Sequence, residues 1–243
     1  KVKRNEIYDI EERWILYSQK DIWRTIIRPG MAAAGIILLG VFLVNYIFLR
    51  RKVQQKTAAL NEELEVRRLI EKQLLDMATH DFLTGLPNRK LIGERLIHAL
   101  AAARRQKCHV AVFFLDLDGF KMINDEMGHD TGDDLLKMVG GRLMECVRES
   151  DSIARLGGDE FAVILETVYD RHEVDAVAQR IISSLSQPYV LKNGIARVTA
   201  SLGISIYPEH GDSYDELVRH ADNAMYRAKD EGKNRYRYFD NQL

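Results

Sequence analysis

The chain has 243 residues, enough for one domain of ordinary size plus an extension, and a formal net charge of −1, which gives no sign of a nucleic-acid binder. Its only cysteines, Cys108 and Cys146, sit within apolar patterns. They read as reduced, buried thiols of a cytosolic domain, which excludes a disulfide or metal-thiolate framework. A sequence that opens on Lys1 is expected to be a piece of a longer chain.

Residues 1–29 are mixed in character. Ile7, Ile10, Trp14, Ile15 and Tyr17 line one helical face, and Trp14 and Trp23 suit a membrane interface. The stretch is expected to be an extracytoplasmic juxtamembrane segment that ends a sensor region, with a plain juxtamembrane helix as the alternative. Met31 to Leu49 is uncharged and broken only by Asn45 and small residues. This is close to the roughly 20 residues that span a bilayer, so a transmembrane helix is expected over 30–50, with a buried core helix as the alternative. Its length and the residues before it argue against a signal peptide. Arg50, Arg51, Lys52 and Lys56 follow it, against Arg24 and Arg28 before, which favours the C-terminal side as cytoplasmic. Residues 51–78 should be a helical linker, since Val53 to Met77 has no Gly or Pro and is rich in Glu, Lys, Arg, Leu and Gln. Val53, Leu60 and Leu64 make a stripe that shifts register to Val66, Ile70, Leu74 and Met77, an imperfect heptad that fits a parallel dimeric signalling coiled coil. A solvated helix explains the same residues.

From about residue 79 to 240 the pattern becomes that of a globular domain. Gly85 and Pro87 mark a turn, and Asn88 caps a helix from Arg89 to about Arg105. His109 to Leu115 is a nearly continuous apolar run, as expected of a strand buried on both faces. It ends in Asp116-Leu117-Asp118-Gly119-Phe120-Lys121. Next come a helix from about Thr131 to Arg148 and a hairpin, Ile153–Leu156 and Phe161–Leu165, with Gly157-Gly158 as its tight turn. Asp159 and Glu160 follow the turn at once. A solvated hairpin tip explains adjacent acids equally well. A carboxylate at the end of the buried strand, joined by one from the hairpin, could instead hold Mg²⁺, which takes a few carboxylates and fills its other positions with water and phosphate oxygens. Gly119 would let backbone approach a phosphate, and Lys121 would add a point charge. Strand alternation is expected to turn Asp118 away, as a structural acid or a further ligand. The remaining elements are a helix over Asp170–Gln187, a strand over Arg197–Tyr207, a helix over Ser213–Glu231 and a short strand over Tyr236–Phe239. The order β-α-β-β-α-β predicts a ferredoxin-like α+β fold: a mostly antiparallel sheet covered by helices.

Gly157-Gly158-Asp159-Glu160-Phe161 resembles, letter for letter, the signature of the GGDEF family of diguanylate cyclases. Four further blocks agree in type and order: Asp81 to Arg89, Asp116 to Lys121, Asn124-Asp125 with Gly128-His129-Asp130 and Gly132-Asp133, and Ala221-Asp222 through Asn234-Arg235. The resemblance implies a palm-type fold over 79–240 and condensation of two GTP into cyclic di-GMP. It implies that Mg²⁺, or Mn²⁺ in its place, is held by Asp116, Asp159 and the backbone carbonyl of Leu117, with Glu160 as a ligand or as the base. Lys121 resembles the lysine that stabilises the transition state. Asn124 and Asp133 match positions that read the guanine edge, with His129 close to substrate; Gly157 and Gly158 border it, and Lys229 and Lys233 match those holding the terminal phosphates. Arg148, Asp151 and Arg180 match an inhibitory site for cyclic di-GMP. One site holds one GTP, so a homodimer is implied, on the cytoplasmic side of a bacterial inner membrane crossed once here. Rival readings are a non-catalytic GTP-binding regulatory module, the N-terminal part of a GGDEF-EAL phosphodiesterase, and a structural membrane coiled coil.

Overall fold

The computed structural model describes the backbone of residues 2–240 and the side chains of residues 12–240. The chain divides between Ile70 and Glu71 into two units. In the first, α1 (Val2–Ile22) passes through a π-helical turn (Trp23–Ile27) into α2 (Arg28–Thr79), whose residues from Glu71 onward belong to the second unit. Pro29 explains the turn. Proline has no amide hydrogen and its ring crowds the carbonyl four residues back, so the α-ladder is interrupted just before it. The Arg28 amide donates to the Trp23 carbonyl, five residues back. The segments expected over 1–29, 30–50 and 51–78 are therefore helical throughout the described backbone. Ile36 to Leu39 and Phe42 to Val44 expose their side chains. The helix is long and apolar enough to cross a membrane, by length and composition. The side chains of Ile7 and Ile10 lie outside the described residues.

The second unit is built on a five-stranded sheet. In chain order it holds α3 (Arg89–Gln106), β1 (His109–Asp118), α4 (Phe120–Met127), α5 (His129–Glu145), β2 (Ser152–Gly157), β3 (Glu160–Val168), α6 (Arg171–Leu185), β4 (Tyr189–Leu191), β5 (Gly194–Ala196), β6 (Thr199–Tyr207), α7 (Tyr214–Asp230) and β7 (Arg235–Tyr238). The sheet order is β2-β3-β1-β6-β7, with β4 and β5 pairing separately. All pairs in the large sheet are antiparallel except β6–β7. This is the mostly antiparallel, helix-covered α+β sheet that the element order predicts.

β1 sits at the centre and feeds both cores. Phe113, Leu115 and Leu117 pack with Leu135, Val139 and Ile181 of α5 and α6. Val110, Val112 and Phe114 pack on the other face with Leu96 of α3 and Leu217 and Met225 of α7. Burial of each such side chain stabilises the fold by about 1.5–3 kcal/mol. The same burial fixes where β1 leaves the core, and Asp116 stands there.

Three local features differ from expectation. The hairpin loop is Gly158-Asp159, one residue later than the sequence suggested, because Gly157 still pairs with Glu160 while Leu156 bulges out of register. Gly157 (φ 140°) and Gly158 (φ 52°) take the backbone angles that disfavour side chains. The short helix α4 was not anticipated, nor was the β4–β5 hairpin. Asn88 does cap α3, its side chain accepting from Lys90 and Leu91 amides at 3.0 and 3.1 Å. Asp170 and Ser213 cap α6 and α7 in the same way.

Candidate active site

The site forms where β1 ends. The β1–β3 register sets Asp116 opposite Glu160, and the Leu117 amide donates to the Asp159 carbonyl at 3.3 Å. The turn is thereby fastened to the end of β1. Arg155 holds it from the other side. Its Nε and Nη2 donate to the Gly158 carbonyl at 3.0 and 2.8 Å, and its Nη1 meets both oxygens of Asp81 at 3.0 Å. The side chains of this pair are only 10% and 14% exposed. Burial pushes the Asp81 carboxyl up, but hydrogen bonds from the Thr84 hydroxyl and amide and from Arg155 outweigh it, leaving the group below its ordinary value. The Asp81–Arg89 block is thus tied by one guanidinium to the turn that carries the acids.

The acids crowd one another. Burial lifts the Asp116 carboxyl above its ordinary value; the charges of Asp159 and Asp118 add to that, against the Lys229 ammonium bound at 2.8 Å. Burial likewise lifts Glu160, opposed by Arg89 at 3.3 Å and reinforced by Asp116, Asp222 and Asp159. Two of these partners, Arg89 and Asp222, were not singled out in the sequence as site residues. Only their places in the flanking blocks pointed to them. Among the described residues, no three carboxylate, histidine or cysteine side chains converge as a ready-made metal cage. The donor set is nevertheless all oxygen and over-rich in negative charge. That fits Mg²⁺, which is bound by one or two carboxylates together with substrate phosphates.

Asp118 does not point away from Asp116 as alternation suggested. Residues two apart on a strand share a face. Their partners separate them instead. Asp118 accepts from the Thr199 and Ser201 hydroxyls at 2.7 and 2.8 Å and from the Asn234 amide at 3.2 Å. These three bonds tie it to β6 and to the turn after α7.

The other candidates distribute as follows. Lys121 is exposed in the first turn of α4. Asn124, on α4, lies over Gly132 of α5 so closely that a Cβ there would fall 1.9 Å from Asn124 Oδ1. His129 and Asp133 are exposed on the first turns of α5. Lys233 is exposed in the turn after α7. Arg148, Asp151 and Arg180 gather around the loop before β2, at the opposite end of that strand from the acidic turn. Asp151 accepts from the Arg148 amide at 3.0 Å, Arg148 approaches Glu173 at 3.9 Å, and Arg180 donates twice to the Cys146 carbonyl, at 2.9 and 2.7 Å.

The family description "Diguanylate cyclase, GGDEF domain" matches residues 78–235. The chain belongs to the GGDEF family. It is 41% identical over 212 residues to the bifunctional diguanylate cyclase/cyclic di-GMP phosphodiesterase MucR of Pseudomonas aeruginosa, covering 86% of this chain and 30% of that protein. It is 42% identical over 197 residues to the diguanylate cyclase TpbB of the same species, covering 81% of this chain and 44% of that one. The chain thus spans less than half the length of these curated relatives. A solved structure of the coiled coil and GGDEF domain of DgcB from Caulobacter crescentus, in complex with c-di-GMP, superposes with a TM-score of 0.67 at 28% identity, over 76% of this chain and 98% of that one.

Proposed function

We propose that this chain is a Mg²⁺-dependent diguanylate cyclase, condensing two GTP into cyclic di-GMP with release of two pyrophosphates. The observation that carries this reading is the pairing of the unsubstituted Gly157–Phe161 signature with the end of β1, which sets Asp159 and Glu160 beside Asp116. Asp116, Asp159 and the Leu117 carbonyl would hold Mg²⁺ (or Mn²⁺), and bound metal would neutralise phosphate charge. Glu160 serves as a further ligand or takes the proton of the attacking 3′-hydroxyl. That hydroxyl attacks the α-phosphate of the opposite GTP, and pyrophosphate leaves. Lys121 and the amides opening α4 face the phosphates, as a helix N-terminus favours anions. Asn124 and Asp133 supply an amide and a carboxylate for the donor and acceptor edge of guanine, with His129 beside them. Gly157 and Gly158 border the nucleotide without side chains to obstruct it. Lys229, already beside Asp116, and Lys233 take the terminal phosphates.

In this reading residues 79–240 form the cyclase domain, 51–78 a coiled-coil linker and 30–50 a membrane span, with the cyclase in the cytoplasm. Two copies pair because each site holds one GTP. Cyclic di-GMP bound at Arg148, Asp151 and Arg180 restrains the pairing, since forked guanidiniums suit phosphate and guanine alike. The likeness to MucR favours a second reading, in which this chain is the GGDEF part of a protein that also hydrolyses cyclic di-GMP.

The deciding experiment incubates the detergent-solubilised chain with GTP and Mg²⁺ and quantifies cyclic di-GMP, with Asp159→Ala as control. Product that vanishes in the variant is the expected result. GTP binding without product, at concentrations where the chain is dimeric, would move the assignment to a regulatory module.

A further inference from the structure

The turn after α7 is unusual in backbone terms. Gly232 (φ 113°), Lys233 (φ 64°) and Asn234 (φ 47°) take positive φ in succession, and two of the three carry side chains. A lysine resists this conformation while an asparagine tolerates it, so the run is held with the help of surrounding bonds. Two of those bonds run back to the helix: the Gly232 amide donates to Lys229 at 3.2 Å and the Lys233 amide to Ala228 at 3.0 Å. The third runs to the sheet, where the Asn234 amide donates to Asp118 Oδ2. The carboxylate that receives it is itself fixed by the Thr199 and Ser201 hydroxyls of β6. The turn carries Lys233 and follows directly on the helical turn that carries Lys229, whose ammonium sits on Asp116.

We infer that Asp118 is a positioning residue: it pins the left-handed turn Gly232–Asn234 to the end of β1, and so sets where Lys229 and Lys233 stand relative to the acidic site. Asp116 and Asp118 thereby divide the work. One faces the cation; the other touches neither cation nor substrate and fixes the two lysines that select phosphate chain length. The inference rests on the proposal that those lysines hold the terminal phosphates.

The test is Asp118→Asn in the full chain. Asparagine keeps the shape but removes one of the two anionic acceptors. Amide hydrogen exchange at Asn234, measured without nucleotide, should accelerate about tenfold or more. The KM for GTP should rise about tenfold with kcat changed less than threefold, and the ratio of GDP to GTP dissociation constants should fall toward one. Adding Asn234→Gly, which accepts positive φ freely, should recover part of the GTP affinity. If Asp118 were a metal ligand, kcat would collapse and return on raising Mg²⁺, and that result overturns the inference. Unchanged exchange at Asn234 overturns it, as does faster exchange with an unchanged GDP-to-GTP ratio. A wild-type chain that binds no guanine nucleotide fails differently: it removes the reading of the site, and the inference with it, while exchange at Asn234 still reports whether the anchor exists.

Discussion

Gly132 shows how one residue governs another in this site. Asn124 occupies the space that any side chain at 132 would need, since a Cβ there lies 1.9 Å from its Oδ1 and 2.9 Å from its Cγ. Gly132→Ala should therefore turn Asn124 out of place, weakening GTP binding tenfold or more while leaving the acids of β1 and β3 undisturbed. Calorimetric titration with GTP and with ATP checks this: the loss should fall on GTP and narrow the preference between the two. Asp81 makes a different kind of prediction. It is mostly buried against Arg155, and removing one partner of such a pair costs about 3 kcal/mol. Its folded pKa is depressed, so the stability it contributes is fully present above the unfolded value of about 3.9 and is lost as pH falls through the folded value. The difference in urea-unfolding free energy between wild type and Asp81→Ala should thus be flat above about pH 5 and shrink below about pH 4. A gap that widened in acid would contradict the arrangement. The acids themselves were legible as letters in the sequence, but their environment was not. Lys229 on Asp116 and Arg89 on Glu160 are contacts between residues far apart in the chain, which no local pattern encodes.

At the scale of elements, strong periodicity was readable and short pieces were not. β1 announced itself because burial on both faces demands a continuous apolar run. The helices α3, α6 and α7 each begin at a readable polar cap. The β4–β5 hairpin has three residues per strand, too few for alternation to register. α4 was missed although Phe120, Ile123 and Met127 stand at helical spacing; its cap is Gly119, which makes no side-chain hydrogen bond and so leaves no capping signature. The turn between β2 and β3 was misplaced by one residue, because a bulge at Leu156 is a matter of pairing register and not of composition. At Gly203 the packing of α7 on β6 leaves no room for a side chain. A Cβ there would lie 1.9 Å from the Ala221 carbonyl oxygen and 2.2 Å from the Met225 nitrogen, both backbone atoms that cannot step aside. Gly203→Ala should cost about 3 kcal/mol or more in urea unfolding. Because it pushes on the helix that carries Lys229, activity should fall further than the folded fraction does, a comparison that enzyme assays at matched folded concentration would make.

The whole molecule poses a question of stoichiometry. In the proposed reaction each GTP supplies the nucleophile for the other, and one site holds one GTP, so turnover requires two chains. The chain also exposes Val53, Leu60, Leu64, Val66, Ile70, Leu74 and Met77 along α2, the stripe whose spacing suggested a parallel pairing. A helix that leaves such a stripe in water forgoes about 25 cal/mol for each Å² of apolar surface it could bury. Pairing through α2 would recover that, and would raise the local concentration of one cyclase domain about another to the millimolar range typical of short tethers. Dilution is therefore the measurement. For the intact chain in detergent, specific activity should hold constant down to the dissociation constant of the helix pair and then fall in proportion to concentration. Leu64→Asp places a charge in the stripe, so it should move that break to at least tenfold higher protein concentration while leaving the affinity for GTP unaltered, since no residue of the site changes. A break that stays where it was would assign the pairing to the cyclase domains themselves and leave the stripe of α2 to another partner.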